Sequence, residues 1–247
     1  MLNHSAKTLF CILLFTLLPI FASADRPFSS TFSTLTNTEA LYQDWQIFNV
    51  SGSERLTQYR LVNENGTRVV RALSNNSASG LYLPARINPQ QYPVIEWRWK
   101  VPQTLTHGDA LSKSGDDYAA RIYIEFEYDI ERLDFFTRLQ YETYKVLNGR
   151  YPPVAVINYI WANRLPVGEY VDNIYSDRVK MFAVKSGNHQ SGKWHRESRN
   201  IVDDYQRAFG EPPGNIKGIA IMTDTDNTTD KTIAFYGDIM FHKAAAK

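Results

Sequence analysis

Nine short runs rich in β-branched and aromatic residues, each bounded by turn residues, dominate the chain from Trp45 to Phe241. They are WQIFNV, TQYRLV, TRVVRAL, YPVIEWRWKV, YAARIYIEFEY, VAVINYIWA, RVKMFAVKS, IKGIAIMTD and TIAFYGDIMF. Many alternate apolar and polar residues with period two, the pattern of a strand with one buried face. NENG at 63–66 supplies a hairpin turn between the second and third runs. Many strands at short spacing predict one all-β domain, a jelly-roll-like β-sandwich.

Two segments depart from this rhythm. Residues 129–148 place Ile130, Leu133, Phe136, Leu139 and Leu147 at near-helical spacing before Gly149, which predicts a helical insertion. In NIVDDYQRAFG, Ile201, Val202, Tyr205, Ala208 and Phe209 form one apolar stripe, which predicts a short helix over about 200–209, lying on a sheet. Residues 25–41 are Ser/Thr-rich without periodicity and are expected to be a leader before a domain spanning 42–243.

The N-terminus carries an export signal. Lys7, the apolar run Leu9–Phe21 and Ala22-Ser23-Ala24 match a secretory signal peptide over residues 1–24, too short for a membrane span. The single cysteine, Cys11, would leave with it. The remaining chain of roughly 220 residues must then be held by its core without disulfides, which is feasible at that size. An exported, periplasmic protein is expected, with secretion as the alternative. Lys and Arg number 27 against 26 Asp and Glu, so composition gives no basic footprint for nucleic acid. No stretch beyond the signal is long and apolar enough to span a bilayer.

Charge is concentrated in the fifth run. In KSGDDYAARIYIEFEY, residues 113–128, strand alternation puts Tyr118, Ala120, Ile122, Ile124 and Phe126 on one side. Asp117, Arg121, Tyr123, Glu125 and Glu127 fall on the other. The fourth run divides similarly, Ile95, Trp97 and Trp99 against Glu96, Arg98 and Lys100. Such a face is either a solvated surface with cross-strand ion pairs or the floor of a groove. On the groove reading, Lys113, Asp116, Asp117 and Arg121 line a polar, concave sheet face that binds a carbohydrate or cell-envelope glycan. Asn158, Asp224 and the indoles of Trp161 and Trp194 would add hydrogen bonds and stacking. Two alternatives stay open. One is a glycan-active hydrolase or lyase using Asp117 and Glu125 as acid and base; the other is a structural envelope protein without a small ligand. No cofactor is required. Asp224, Asp226 and Asn227 in DTDNTTD supply hard oxygens that would suit a structural calcium, or simply an Asp/Asn turn.

WRWKV, KSGDDYAARIY, NYIWAN, VDDYQRAFG and IAIMTDTDNT with AFYGDIMF, taken together, resemble a family of exported bacterial proteins grouped only as a domain of unknown function. The resemblance spans about residues 42–241. Lys113, Asp116, Asp117, Arg121, Asn158, Trp161, Asp203, Asp204, Asp224 and Asp226 match its polar motif positions. SASGLYL, YPVIEWRWKV and the closing TIAFYGDIMF are also similar, at fold level, to galactose-binding-like carbohydrate modules. That likeness implies a structural calcium supported by Asp238.

Overall fold

A computed structural model describes residues 28–49, 53–148 and 152–244. The signal peptide expected over residues 1–24 lies outside the described residues. The described residues contain thirteen strands: β1 (Ser29–Ser30), β2 (Gln46–Asn49), β3 (Gln58–Glu64), β4 (Thr67–Asn75), β5 (Ala78–Ile87), β6 (Val94–Lys100) and β7 (Arg121–Phe126), then β8 (Val156–Ala162), β9 (Tyr170–Asn173), β10 (Ser176–Ser186), β11 (His195–Asn200), β12 (Ile216–Asp224) and β13 (Lys231–His242). Among the described residues three α-helices join them: α1 (Thr38–Asp44), α2 (Phe135–Asn148) and α3 (Ile201–Phe209).

The strands form two sheets. The first runs β11-β6-β13-β4-β3, with β1 also on β13; the second runs β2-β5-β12-β7-β8-β10-β9. All ladders are antiparallel except β8–β10. The fold is the expected jelly-roll-like β-sandwich with both helical segments in place. The β3–β4 turn has Asn65 and Gly66 at φ 53° and 83°, the left-handed pair that a two-residue hairpin requires.

The core fills the space between the sheets. Trp97 and Trp99 on β6 point inward, as alternation predicted, and meet Tyr159 and Trp161 of β8 at ring distances of 5.1 and 5.8 Å. Helix α3 crosses from one sheet to the other. Asn200 caps its start by accepting from the backbone N–H groups of Val202 and Asp203, and Gly210 closes it at φ 75°. Its Tyr205 packs on Phe126 at 4.7 Å.

Residues 28–41 of the expected leader belong to this core. Phe32 and Leu41 are fully buried, and Ser29–Ser30 pairs with Met240–Ile239. Composition pointed elsewhere because a few anchoring apolar residues in a Ser/Thr-rich segment leave no periodic trace. Asp238 ties this segment down: its two carboxylate oxygens accept from the Ser33 N–H and hydroxyl at 2.9 and 2.7 Å.

Candidate functional site

Most of the polar residues singled out in the sequence do converge, but inside the protein. Asp116, Asp117, Arg121 and Asp224 are 6%, 0%, 3% and 2% exposed. They are therefore not the floor of a wet groove. Arg121 opens β7 beside Met222 of β12, and its guanidinium forks onto both carboxylate oxygens of Asp224. It also donates to the Asp116 carbonyl at 2.6 Å and the Tyr123 hydroxyl at 3.2 Å, and lies over the Tyr118 ring. Burial opposes its charge, but Tyr123, Asp116, Tyr118 and Asp117 outweigh that and hold its pKa above the ordinary value.

Asp117 fastens the β12–β13 turn to the entrance of β7. It accepts from the Thr228 N–H and hydroxyl, both at 2.6 Å, and from the Asn227 N–H at 3.3 Å. Asp226 sits half-buried beside it. Burial and the Asp117 charge push the Asp226 carboxyl pKa up. Carboxylate oxygens of Asp117, Asp224 and Asp226 all lie within 4.8 Å of one another. Lys113 is exposed at the rim of this clasp, its ammonium over the Tyr175 ring.

Asn158 is next door on the outer side of the second sheet, opposite Tyr123. It is fully buried, close to the Tyr123 hydroxyl, yet neither amide atom makes a hydrogen bond of normal geometry. Of the remaining family-motif acids, Asp204 is buried and holds Arg199 and the Tyr159 hydroxyl, while Asp203 stays exposed.

Four expectations need correction. Trp161 is a core residue, 0% exposed, with its indole N–H on the Gly187 carbonyl, so it offers no face to a ligand. Trp194 lies on the outer face of the first sheet, away from Arg121 on the second. Glu125 does not pair with Asp117: it lies four residues beyond Arg121, ~13 Å along the strand, where it binds Lys217 at 2.9 Å and the Tyr82 hydroxyl at 3.1 Å. Asp238 is committed to Ser33 and is not part of the acidic cluster.

The outer face of the first sheet presents a second arrangement. Ladder register aligns one residue from each strand in a row across it: Trp194 precedes β11 beside Lys100 of β6, then come Phe235 of β13, Arg71 of β4 and Arg60 of β3. The Trp194 and Phe235 rings are 6.4 Å apart. The Lys100 ammonium sits 4.4 Å from the Phe235 centroid, and the Arg98 guanidinium 5.0 Å from that of Trp194. Arg98 can lie flat because a Cβ on Gly237 would meet it at 2.3 Å.

This face is concave. Lys100 forms an ion pair with Glu64 of β3, across β13 and β4. Three inter-strand steps are ~14 Å, and Glu64 lies another four residues along from Arg60. Two side chains cannot close that gap on a flat sheet, so the β3–β4 hairpin folds over the outer face. Val69, pointing to the same side, is accordingly fully buried. Composition and alternation flagged Arg98 and Lys100, but Arg60, Arg71 and Phe235 join them only through ladder register, which no single run reveals.

Fold and site together define a jelly-roll-like β-sandwich with a buried Arg–Asp clasp and a concave, cationic-aromatic outer face. The chain belongs to the family described as a protein of unknown function (DUF3047), whose model matches residues 43–240. No curated protein matches it. Among solved structures, it is similar to a β-1,2-glucanase from Parabacteroides distasonis (12% identity, TM-score 0.42, 89% of this chain and 26% of that one). It is also similar to the Emp47p carbohydrate recognition domain (13%, 0.41, 90% and 99%). A third is the Endo-D glycoside hydrolase domain from Streptococcus pneumoniae R6 (4%, 0.34, 82% and 22%). The chain thus spans about a quarter of each of the two enzyme chains, and these likenesses carry no inference about activity.

Proposed function

We propose that this is an exported, periplasmic protein that binds a glycan on the concave outer face of its first sheet. The observation that carries the reading is the row Trp194–Lys100–Phe235–Arg71–Arg60 along the floor of that hollow. The Trp194 and Phe235 rings, 6.4 Å apart on either side of Lys100 in the row, suit sugar rings, whose C–H faces are apolar. Guanidinium forks and an ammonium around them suit the ring hydroxyls and substituents. The clasp of Asp117, Arg121 and Asp224 then has a supporting role: it pins the β12–β13 turn, from which β13 carries Phe235 into place.

The test is affinity electrophoresis of the mature protein through gels containing individual envelope and plant polysaccharides, alongside Trp194→Ala and Phe235→Ala. Retardation of the wild type by at least one polymer, lost in both variants while their melting curves stay intact, is the expected result. If no polymer retards the wild type, or the variants are retarded equally, the reading fails.

A second reading concerns the clasp. The three carboxylates of Asp117, Asp224 and Asp226 form an all-oxygen donor set, which fits a hard divalent cation such as calcium. Asp116 and Asp224 pair with the Arg121 guanidinium, and Asp117 and Asp226 lie beside Asp224, so a cation there would relieve a local excess of negative charge. Its role would be to staple the turn. Isothermal titration with calcium and magnesium, with Asp226→Asn as the control, tests it.

A further inference from the structure

We infer that the glycan taken by the concave face is anionic, a polymer bearing carboxylate, sulfate or phosphate groups. This rests on the preceding reading and adds the charge class of the ligand. The face carries Arg60, Arg71, Arg98, Lys100, Arg196 and Lys231, and two of its acids, Glu64 and Glu96, stand among these cations. Both acids are already spent, Glu64 on Lys100, and Glu96 on Arg196 and His242. The whole chain has a formal charge of only +1, so the face gathers a cationic excess that the rest of the surface offsets.

Arg60 and Arg71 carry the inference. They stand directly opposite each other on β3 and β4, where like charges destabilise a sheet. Neither has a carboxylate within ion-pair distance among the described residues. Two opposed, uncompensated guanidiniums next to the Phe235 ring work against folding. They favour an anion that both can grip, and Arg is the side chain whose planar fork suits carboxylate, sulfate and phosphate oxygens. The neighbouring Lys100 is neutralised by Glu64, but Arg98, 5.0 Å from the Trp194 centroid, adds a third positive centre on the same face.

The experiment compares polygalacturonate with its fully methyl-esterified form, and dextran sulfate with dextran, by isothermal titration at two ionic strengths. The proteins are wild type, the double variant R60Q/R71Q, and W194A. Binding to the charged polymers that weakens with added salt is expected. R60Q/R71Q should lose about tenfold or more in affinity for them while its melting temperature stays level or rises, because a like-charge contact has gone. Esterified or unsulfated polymer bound as tightly as the charged form, with R60Q/R71Q unaffected, would overturn the charge assignment and leave glycan binding standing. No binding to any of the four polymers by the wild type overturns the charge assignment, and if the wider polysaccharide panel is also blank, the glycan reading falls with it. Duplex DNA bound as tightly as polygalacturonate overturns the glycan class in favour of a general polyanion surface.

Discussion

Arg121→Met is the perturbation that most directly probes how the fold supports its faces. Arg121 is 3% exposed and holds both oxygens of Asp224, the Asp116 carbonyl and the Tyr123 hydroxyl. Methionine fills similar volume but leaves two buried aspartates facing apolar surroundings. Breaking a buried pair from one side costs roughly 3–5 kcal/mol. Against a typical total of about 5–15 kcal/mol this is a large share, and in a domain of this size it lowers Tm by about 6–20 °C. Asp224→Asn keeps an acceptor for the Tyr118 N–H, which lies 3.2 Å from Asp224. The double variant Arg121→Met/Asp224→Asn should therefore be markedly more stable than the sum of the single losses implies. Urea unfolding of all four proteins completes the cycle. Should Arg121→Met cost under ~1 kcal/mol, or the single losses add to within ~0.5 kcal/mol, the buried clasp does not exist as described.

The two tryptophans once paired as stacking platforms should now behave oppositely. Trp161→Ala, a core truncation, costs about 3–5 kcal/mol, whereas Trp194→Ala leaves the melting temperature near wild type and abolishes retardation in polysaccharide gels. Calcium at millimolar concentration should raise the melting temperature of the wild type but not of Asp226→Asn; an equal rise in both removes the cation reading. Asp238→Ala frees Ser33 and should expose residues 28–41 to rapid hydrogen exchange while β7–β8 stays protected. The Arg196 guanidinium, by hydrogen bonding, holds the Glu96 carboxyl pKa below its ordinary value of 4.5. A lowered folded-state pKa stabilises above the unfolded value, and that stabilisation is lost as pH falls through the folded one. NMR titration of Arg196→Ala should accordingly show the Glu96 pKa moving up.

The strand runs, the helical insertion and the helix over 201–209 were legible because each is written locally, in alternation, apolar stripes and caps. The inward set of β6, Trp97 and Trp99, followed from period two alone. The charged side of β7 was legible as a pattern but not as a surface. A polar strand face is solvated or buried according to what packs on it, and here the 109–118 loop, the β9–β10 hairpin and the β12–β13 turn close over it. Trp161 failed as a platform for a related reason: period two fixes which side a residue takes, not which side of the sheet meets the other.

By itself, then, the sequence determined the sandwich class and placed nine of the thirteen described strands, but β1, β5, β9 and β11 fell outside its nine runs. Only the tertiary structure decided that Asp117, Arg121 and Asp224 form an internal clasp, and that Trp194, Phe235 and the opposed Arg60 and Arg71 share one hollow. The physical reason is that pairing register and sheet curvature arise from contacts between residues far apart in the chain, about which local periodicity is silent.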